Sequence, residues 1–238
     1  YTPWLRKIVN DVALVNLAGY YKLGNSDMQA IGASVRYFTL GDVTERRDNG
    51  QGSALTLNPY EMAVDVSYSR KLSEAFAMAV ALRFIRSDMG ASADEDMVPD
   101  NAFAADIAGY LEKYVVIGQS EALWSFGFNM SNIGTKVSYD GGNKNQFLPT
   151  KLSLGTGLLY PLDDYNQIGV YLDLSKYLVP SAPVQTGSTP EEIEEYNKKY
   201  EDYNNMSPIT GIFKSFGDSP NGFKGELEEI MASIGVEY

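Results

Sequence analysis

The chain has 238 residues, 44% of them hydrophobic, with 19 basic and 31 acidic side chains and a formal net charge of −12. The length suits one large all-β domain or two small ones. The charge excludes a nucleic-acid binder, whose phosphate contacts need a basic footprint. Neither cysteine nor histidine occurs, which removes disulfides, thiol chemistry, histidine-based nucleophilic catalysis and the common zinc sites.

No run of about 18 apolar residues exists, so no helix of this chain is expected to span a membrane. The 17 tyrosines and 10 phenylalanines suit strands and membrane–water interfaces alike. The opening Tyr1-Thr2-Pro3-Trp4-Leu5-Arg6-Lys7 is no signal peptide, so the chain is read as mature or as lacking its beginning.

Apolar alternation marks nine strands. The first covers residues 11–23, with Ala13, Val15, Leu17, Gly19 and Tyr21 on one face, and ends at the turn Gly24-Asn25-Ser26-Asp27. The second, 28–40, sets Ile31, Ala33, Val35 and Tyr37 against Gly32, Ser34, Arg36 and Phe38. After a polar loop, 41–60, residues 61–86 form a hairpin turning at Lys71-Leu72-Ser73-Glu74. Its strands alternate Met62, Val64, Val66 and Tyr68 with Ala63, Asp65, Ser67 and Ser69, and Met78, Val80, Leu82 and Phe84 with Ala77, Ala79, Ala81 and Arg83.

A second loop, 87–101, carries the acidic run Asp94-Glu95-Asp96. Strand five spans 102–113, a link of intermediate length covers 114–121, and strand six spans 122–133. A third loop, 134–149, precedes strands seven (150–162) and eight (167–179), which turn at Asp163-Asp164-Tyr165-Asn166. The longest connection, 180–222, holds a short acidic helix from Pro190 to about Tyr203, with proline in the first turn and acids near the N-terminus. Strand nine covers about 226–238.

Connection lengths read short, long, short, long, intermediate, long, short, long. Transmembrane β-barrels alternate in this way, with short periplasmic turns and long outer loops. Strands of ten or more residues also exceed the usual five or six of a soluble sandwich. The expected fold is therefore all-β, an antiparallel transmembrane barrel with nine strands present and one domain over 1–238. The loop 180–222 would be extracellular and the short turns periplasmic. Arg36, Asp65, Arg83, Asp106 and Asp173 would point to the lumen, where opposite charges can pair. Nine is odd, and such barrels usually have an even count. At least one strand is thus expected upstream, and the C-terminal end is left open.

Several segments then resemble one family: Tyr1-Thr2-Pro3-Trp4-Leu5, Tyr20-Tyr21-Lys22, Asn129-Met130-Ser131-Asn132-Ile133-Gly134, Phe147-Leu148-Pro149-Thr150-Lys151-Leu152 and Ile234-Gly235-Val236-Glu237-Tyr238. The chain resembles the PorV family of the type IX secretion system of Bacteroidetes. The resemblance implies a FadL-like outer-membrane barrel of about 14 strands, so that nine are an incomplete set. It also implies a cargo shuttle with no enzymatic activity and no cofactor. Its partners would be a translocon barrel, secreted proteins through their C-terminal domain, attachment-complex proteins such as PorU, and membrane lipid or lipopolysaccharide. FadL relatives carry an N-terminal plug, which is not visible here.

Other candidate sites give way to structural readings. Gly155-Thr156-Gly157 lacks the following helix that a nucleotide loop needs. Asp140-Gly141-Gly142-Asn143 reads as a turn, and Asp94-Glu95-Asp96 with Asp88 as a solvated loop, rather than calcium sites. Asp65 and Asp106 read as paired lumen charges rather than an acid–base couple. Ile209, Ile212, Phe213, Phe216 and Phe223 crowd into the longest loop and are the candidate partner-binding residues. The alternative function is FadL-like transport of hydrophobic small molecules past the small lumen residues. A soluble β-sandwich adhesin is a third reading.

Overall fold

The computed structural model of the protein describes residues 2–3, 12–24, 28–46, 54–90, 98–142 and 144–238. In chain order these form β1 (Thr2–Pro3), β2 (Ala13–Leu23), β3 (Gln29–Thr39), β4 (Val43–Arg46), β5 (Ala54–Leu57), β6 (Tyr60–Lys71) and β7 (Phe76–Asp88). Then follow β8 (Asp100–Ile117), β9 (Ser120–Gly134), β10 (Lys151–Pro161) and β11 (Gln167–Tyr177). Three helices, α1 (Pro190–Asn205), α2 (Pro208–Lys214) and α3 (Gly222–Glu228), precede β12 (Met231–Glu237).

Ten strands build one antiparallel sheet in the order β1-β2-β3-β6-β7-β8-β9-β10-β11-β12, while β4 and β5 pair separately inside the 41–60 segment. Each strand of the large sheet pairs with its nearest neighbours along the chain. The sheet is open, with β1 and β12 at its edges among the described residues, the form of an incomplete barrel.

Two boundaries differ from the sequence reading. The link between strands five and six is not intermediate: β8 runs on to Ile117 and β9 starts at Ser120, leaving only Gly118 and Gln119 between them. Gly118 has φ 66°, the value that a tight hairpin turn with glycine in first place requires. Tyr114, Val115 and Val116 extend the ladder because Leu123, Ala122 and Glu121 stand opposite them. Short and long connections therefore alternate without exception. Strand nine starts later than expected, because 222–228 coils into α3. Phe223, Leu227 and Ile230 recur at helical rather than strand spacing there. The acidic run 94–96 and the turn residues 25–27 lie outside the described residues.

The two faces of the sheet differ in chemistry. Leu17, Val35, Val66, Leu82, Phe103, Leu172 and Ile234 share one face, and their side chains are open to the surroundings, Leu82 at 69% and Ile234 at 76% exposure. The other face carries Ser34, Ser67, Ala79, Ala81, Ala108, Gly127, Gly155 and Gly157 among charged groups. Tyr171 lies across Gly157 on the neighbouring strand, so close that a Cβ there would come within 2.5 Å of its ring. The buried core sits at the loop end of the polar face. It comprises Ala102, Ala104, Val137 and Leu148, with Ile85 and Tyr139 against them.

Candidate functional site

The polar face holds a charge cluster centred on Arg83. Its Nε donates to Asp65, its Nη2 donates to Asp106 at 2.8 Å, and its Nη1 donates to the Asn132 amide oxygen. Asp65 also accepts from Ser34 Oγ at 2.9 Å and pairs with Arg36 Nη2 at 3.7 Å. Strand register explains the meeting: Asp65 stands opposite both Ser34 and Arg83, and Arg83 and Asp106 lie on adjacent strands. The three central side chains are only 9–18% exposed, so the charges must satisfy one another.

Asn132 completes the cluster through a bulge in β9. Ala105 pairs with Ile133 and Ile107 with Met130, so Ser131 and Asn132 together oppose Asp106. Asn132 takes φ 58°, a left-handed conformation that asparagine tolerates better than most residues. Its backbone N–H then reaches Asp106 at 2.8 Å. Sequence reading missed Ser34 and Asn132 as members of the cluster. A signal for the bulge was there: the apolar period runs Phe126, Phe128, Met130 and then steps to Ile133. Of the five expected polar-face charges, the structure brings together Arg36, Asp65, Arg83 and Asp106. Asp173 stands apart on β11, its carboxylate over Gly155.

At the loop end, residues 135–142 and 144–149 fold back across the polar face. Tyr139 Oη donates to Ser87 Oγ at 2.9 Å, the Ser138 amide donates to Asp100, and Thr150 Oγ1 donates to the Asn132 carbonyl at 2.7 Å. Asp140 accepts from Ser138 Oγ and from the Lys144 amide, which fixes the turn through Gly141 and Gly142.

Helix α1 begins with a capping box between Thr189 and Glu192 and has no basic residue in its last turn. Lys136 supplies that cation from the neighbouring loop. Its Nζ donates to the Tyr203 and Asn204 carbonyls, each at 3.1 Å, and sits 4.0 Å from the centre of the Phe147 ring. Burial pushes the Lys136 amine below the ordinary lysine range. Tyr196, Tyr200 and Tyr203 line one side of α1 with their rings tilted against one another, and no residue of the helix is buried. The helix therefore touches the body mainly through its C-terminal end.

The partner-binding candidates divide. Ile209, Phe213, Phe216 and Phe223 are exposed. Ile212 is buried at 6% exposure in the inward side of α2, beside Gly211 and near Phe147. In this structure its side chain packs the loop, unlike the four exposed members of the set. Phe216 and Phe223 share a groove with Leu152, Leu154 and Leu174 of the sheet. Below them α3 is tied down by Lys176, which bonds Glu226 and lies 3.0 Å from Glu229. The Lys176 ammonium and the Ser219 amide hold the Glu226 carboxyl below the usual carboxylate range. Among the described residues no cluster of acidic side chains is arranged to hold a metal ion.

A family model described as Type IX secretion system protein PorV matches residues 1–184, most of the chain. The match takes in β1 to β11, whereas α1, α2, α3 and β12 lie outside it. No curated protein matches the chain.

Proposed function

The chain belongs to the PorV family and is a component of the type IX secretion system; within that system we propose that it is an outer-membrane barrel that receives secreted cargo from the translocon and passes it to the cell-surface attachment complex. The observation that carries this reading is the asymmetry of the sheet. All three helices and every long connection gather at one end, and only tight turns occupy the other. An open apolar face between those ends fits a wall in lipid, with the long loops extracellular and the short turns periplasmic. The Arg83 cluster then faces the lumen as structural charge, as does Asp173, with no catalytic role.

Cargo, through its C-terminal domain, and the translocon barrel would meet the protein at the loop end. Exposed Ile209 and Phe213 on α2 and the tyrosine side of α1 supply the contact. Attachment-complex proteins such as PorU would receive the cargo from there. Replacing 190–205 by a short linker is expected to leave the sheet assembled and to weaken capture of the translocon or of a cargo C-terminal domain. Unchanged capture and unchanged secretion would count against the proposal.

A second reading is FadL-like transport of hydrophobic small molecules, favoured by the small residues of the polar face. The fold-back of 135–142 and 144–149 across that face weighs against an open path. Recovery of a hydrophobic ligand from the lumen of the purified protein would reverse that order.

A further inference from the structure

The α2–α3 segment crosses to the apolar face of the sheet rather than the polar one. Lys176 lies in the same row as Leu172 and Leu174, opposite Leu152, yet it is buried by α3. Between helix and strands runs a groove of about 300 Å³. Its floor is Leu152, Leu154 and Leu174, and its far wall is Phe216, Phe223 and Leu227. The wall residues stay more than half exposed, Phe223 at 78%.

The charges of the groove are already spent on one another. Lys176 bonds Glu226 and Glu229, and Glu226 accepts in addition from the Ser219 amide. A ligand there needs no charged group in the groove itself, only hydrocarbon. A single hydrocarbon chain matches the groove in size: roughly ten methylenes at about 30 Å³ each, near the volume share of a water molecule, occupy about its volume. The floor is continuous with the open apolar face through Leu172 and Val170. A chain lying along that face can therefore rise into the groove without crossing a polar barrier.

We infer that the groove between α3 and the β10–β11 wall seats one acyl chain of a membrane lipid, so that α3 lies at the membrane interface and fixes the loop assembly to the bilayer. The inference rests on the membrane reading above. The groove's helical wall lies beyond the residues that the family model matches.

The test is photolabelling of the whole protein in phosphatidylcholine vesicles doped with phosphatidylcholine that carries a diazirine in one acyl chain, with adducts mapped by mass spectrometry. Adducts are expected on Leu82 and Val66 of the open face and on Leu152 and Leu227 from the two walls of the groove. Leu227→Trp, which fills the groove from an exposed position, is expected to abolish the Leu152 adduct and to leave Leu82 labelled. Labelled Leu82 and Val66 with unlabelled groove walls would overturn the inference and leave the membrane reading standing. Absence of adducts on either set would overturn both. A photoactivatable amino acid at position 227, irradiated in native membranes, is expected to yield lipid adducts, and a protein adduct in their place would also overturn the inference.

Discussion

Replacing Arg83 with methionine removes the cation that bridges Asp65 and Asp106 while keeping most of the side-chain volume. Two carboxylates, 9% and 18% exposed, are left facing a hole where the guanidinium stood. Breaking a buried pair by removing one partner costs about 3–5 kcal/mol. Arg36, 3.7 Å from Asp65 and half-exposed, offsets part of that loss. The expected destabilisation is therefore about 3 kcal/mol, on the order of a hundredfold in the unfolding equilibrium. Urea unfolding of the protein folded in detergent micelles, followed by tryptophan fluorescence, measures it. Adding Asp65→Asn and Asp106→Asn to Arg83→Met should recover most of the loss, because no uncompensated buried charge remains and Arg36, half-exposed, stays solvated. Arg83→Lys should fall between, since an ammonium cannot fork to both carboxylates and Asn132 together. A methionine variant within about 0.5 kcal/mol of the parent, the range of ordinary surface changes, would overturn this account of the cluster. So would a triple variant no more stable than the single one.

Three further outcomes are expected. Gly157→Val should cost about 1–3 kcal/mol by overpacking against the Tyr171 ring, whereas Gly19→Ala, with no atom within 4 Å of the new Cβ, should be neutral or slightly stabilising; the same unfolding assay separates them. Lys136→Met should loosen the end of α1 by about 0.5–1 kcal/mol, the value of a cation at a helix C-terminus, seen as faster amide exchange over the last turn and unchanged exchange in β9. The Glu226 carboxyl has its folded pKa depressed by Lys176, so its contribution is present above the unfolded carboxylate range and is lost as pH falls through the lowered folded value. Acidification below about pH 4 should undock α3, reported by a fluorophore at position 228, and Glu226→Gln should remove that acid transition.

The strands were legible because side-chain alternation is a local signal and each strand pairs with its chain neighbour. Leu82 and Arg83 reveal their faces from a few adjacent residues. The hairpin at Gly118 was less so, since Tyr114 and Val115 join the ladder only because Leu123 and Ala122 return opposite them. The Arg83 cluster was half legible: a charge on each of neighbouring strands announces a pairing, but the partner depends on register. Asn132 depended on a bulge that moves it to the right side. The Lys136 contact was not legible at all. It joins a loop to a helix 67 residues later, and nothing in either segment specifies the other.

Lys176 has a consequence for the order of assembly. Every second strand of the sheet is added by closing a short turn, but β12 must wait for the chain from 178 to 230. That loop is about tenfold longer than the turn between β10 and β11, which adds about 2 kcal/mol of closure entropy. Once Glu226 and Glu229 grip Lys176, the span still to be closed before Met231 shrinks to a few residues. The pair works as a clasp. It divides one long closure into two, and it leaves β12 to start beside β11, where Met231 pairs with Ser175.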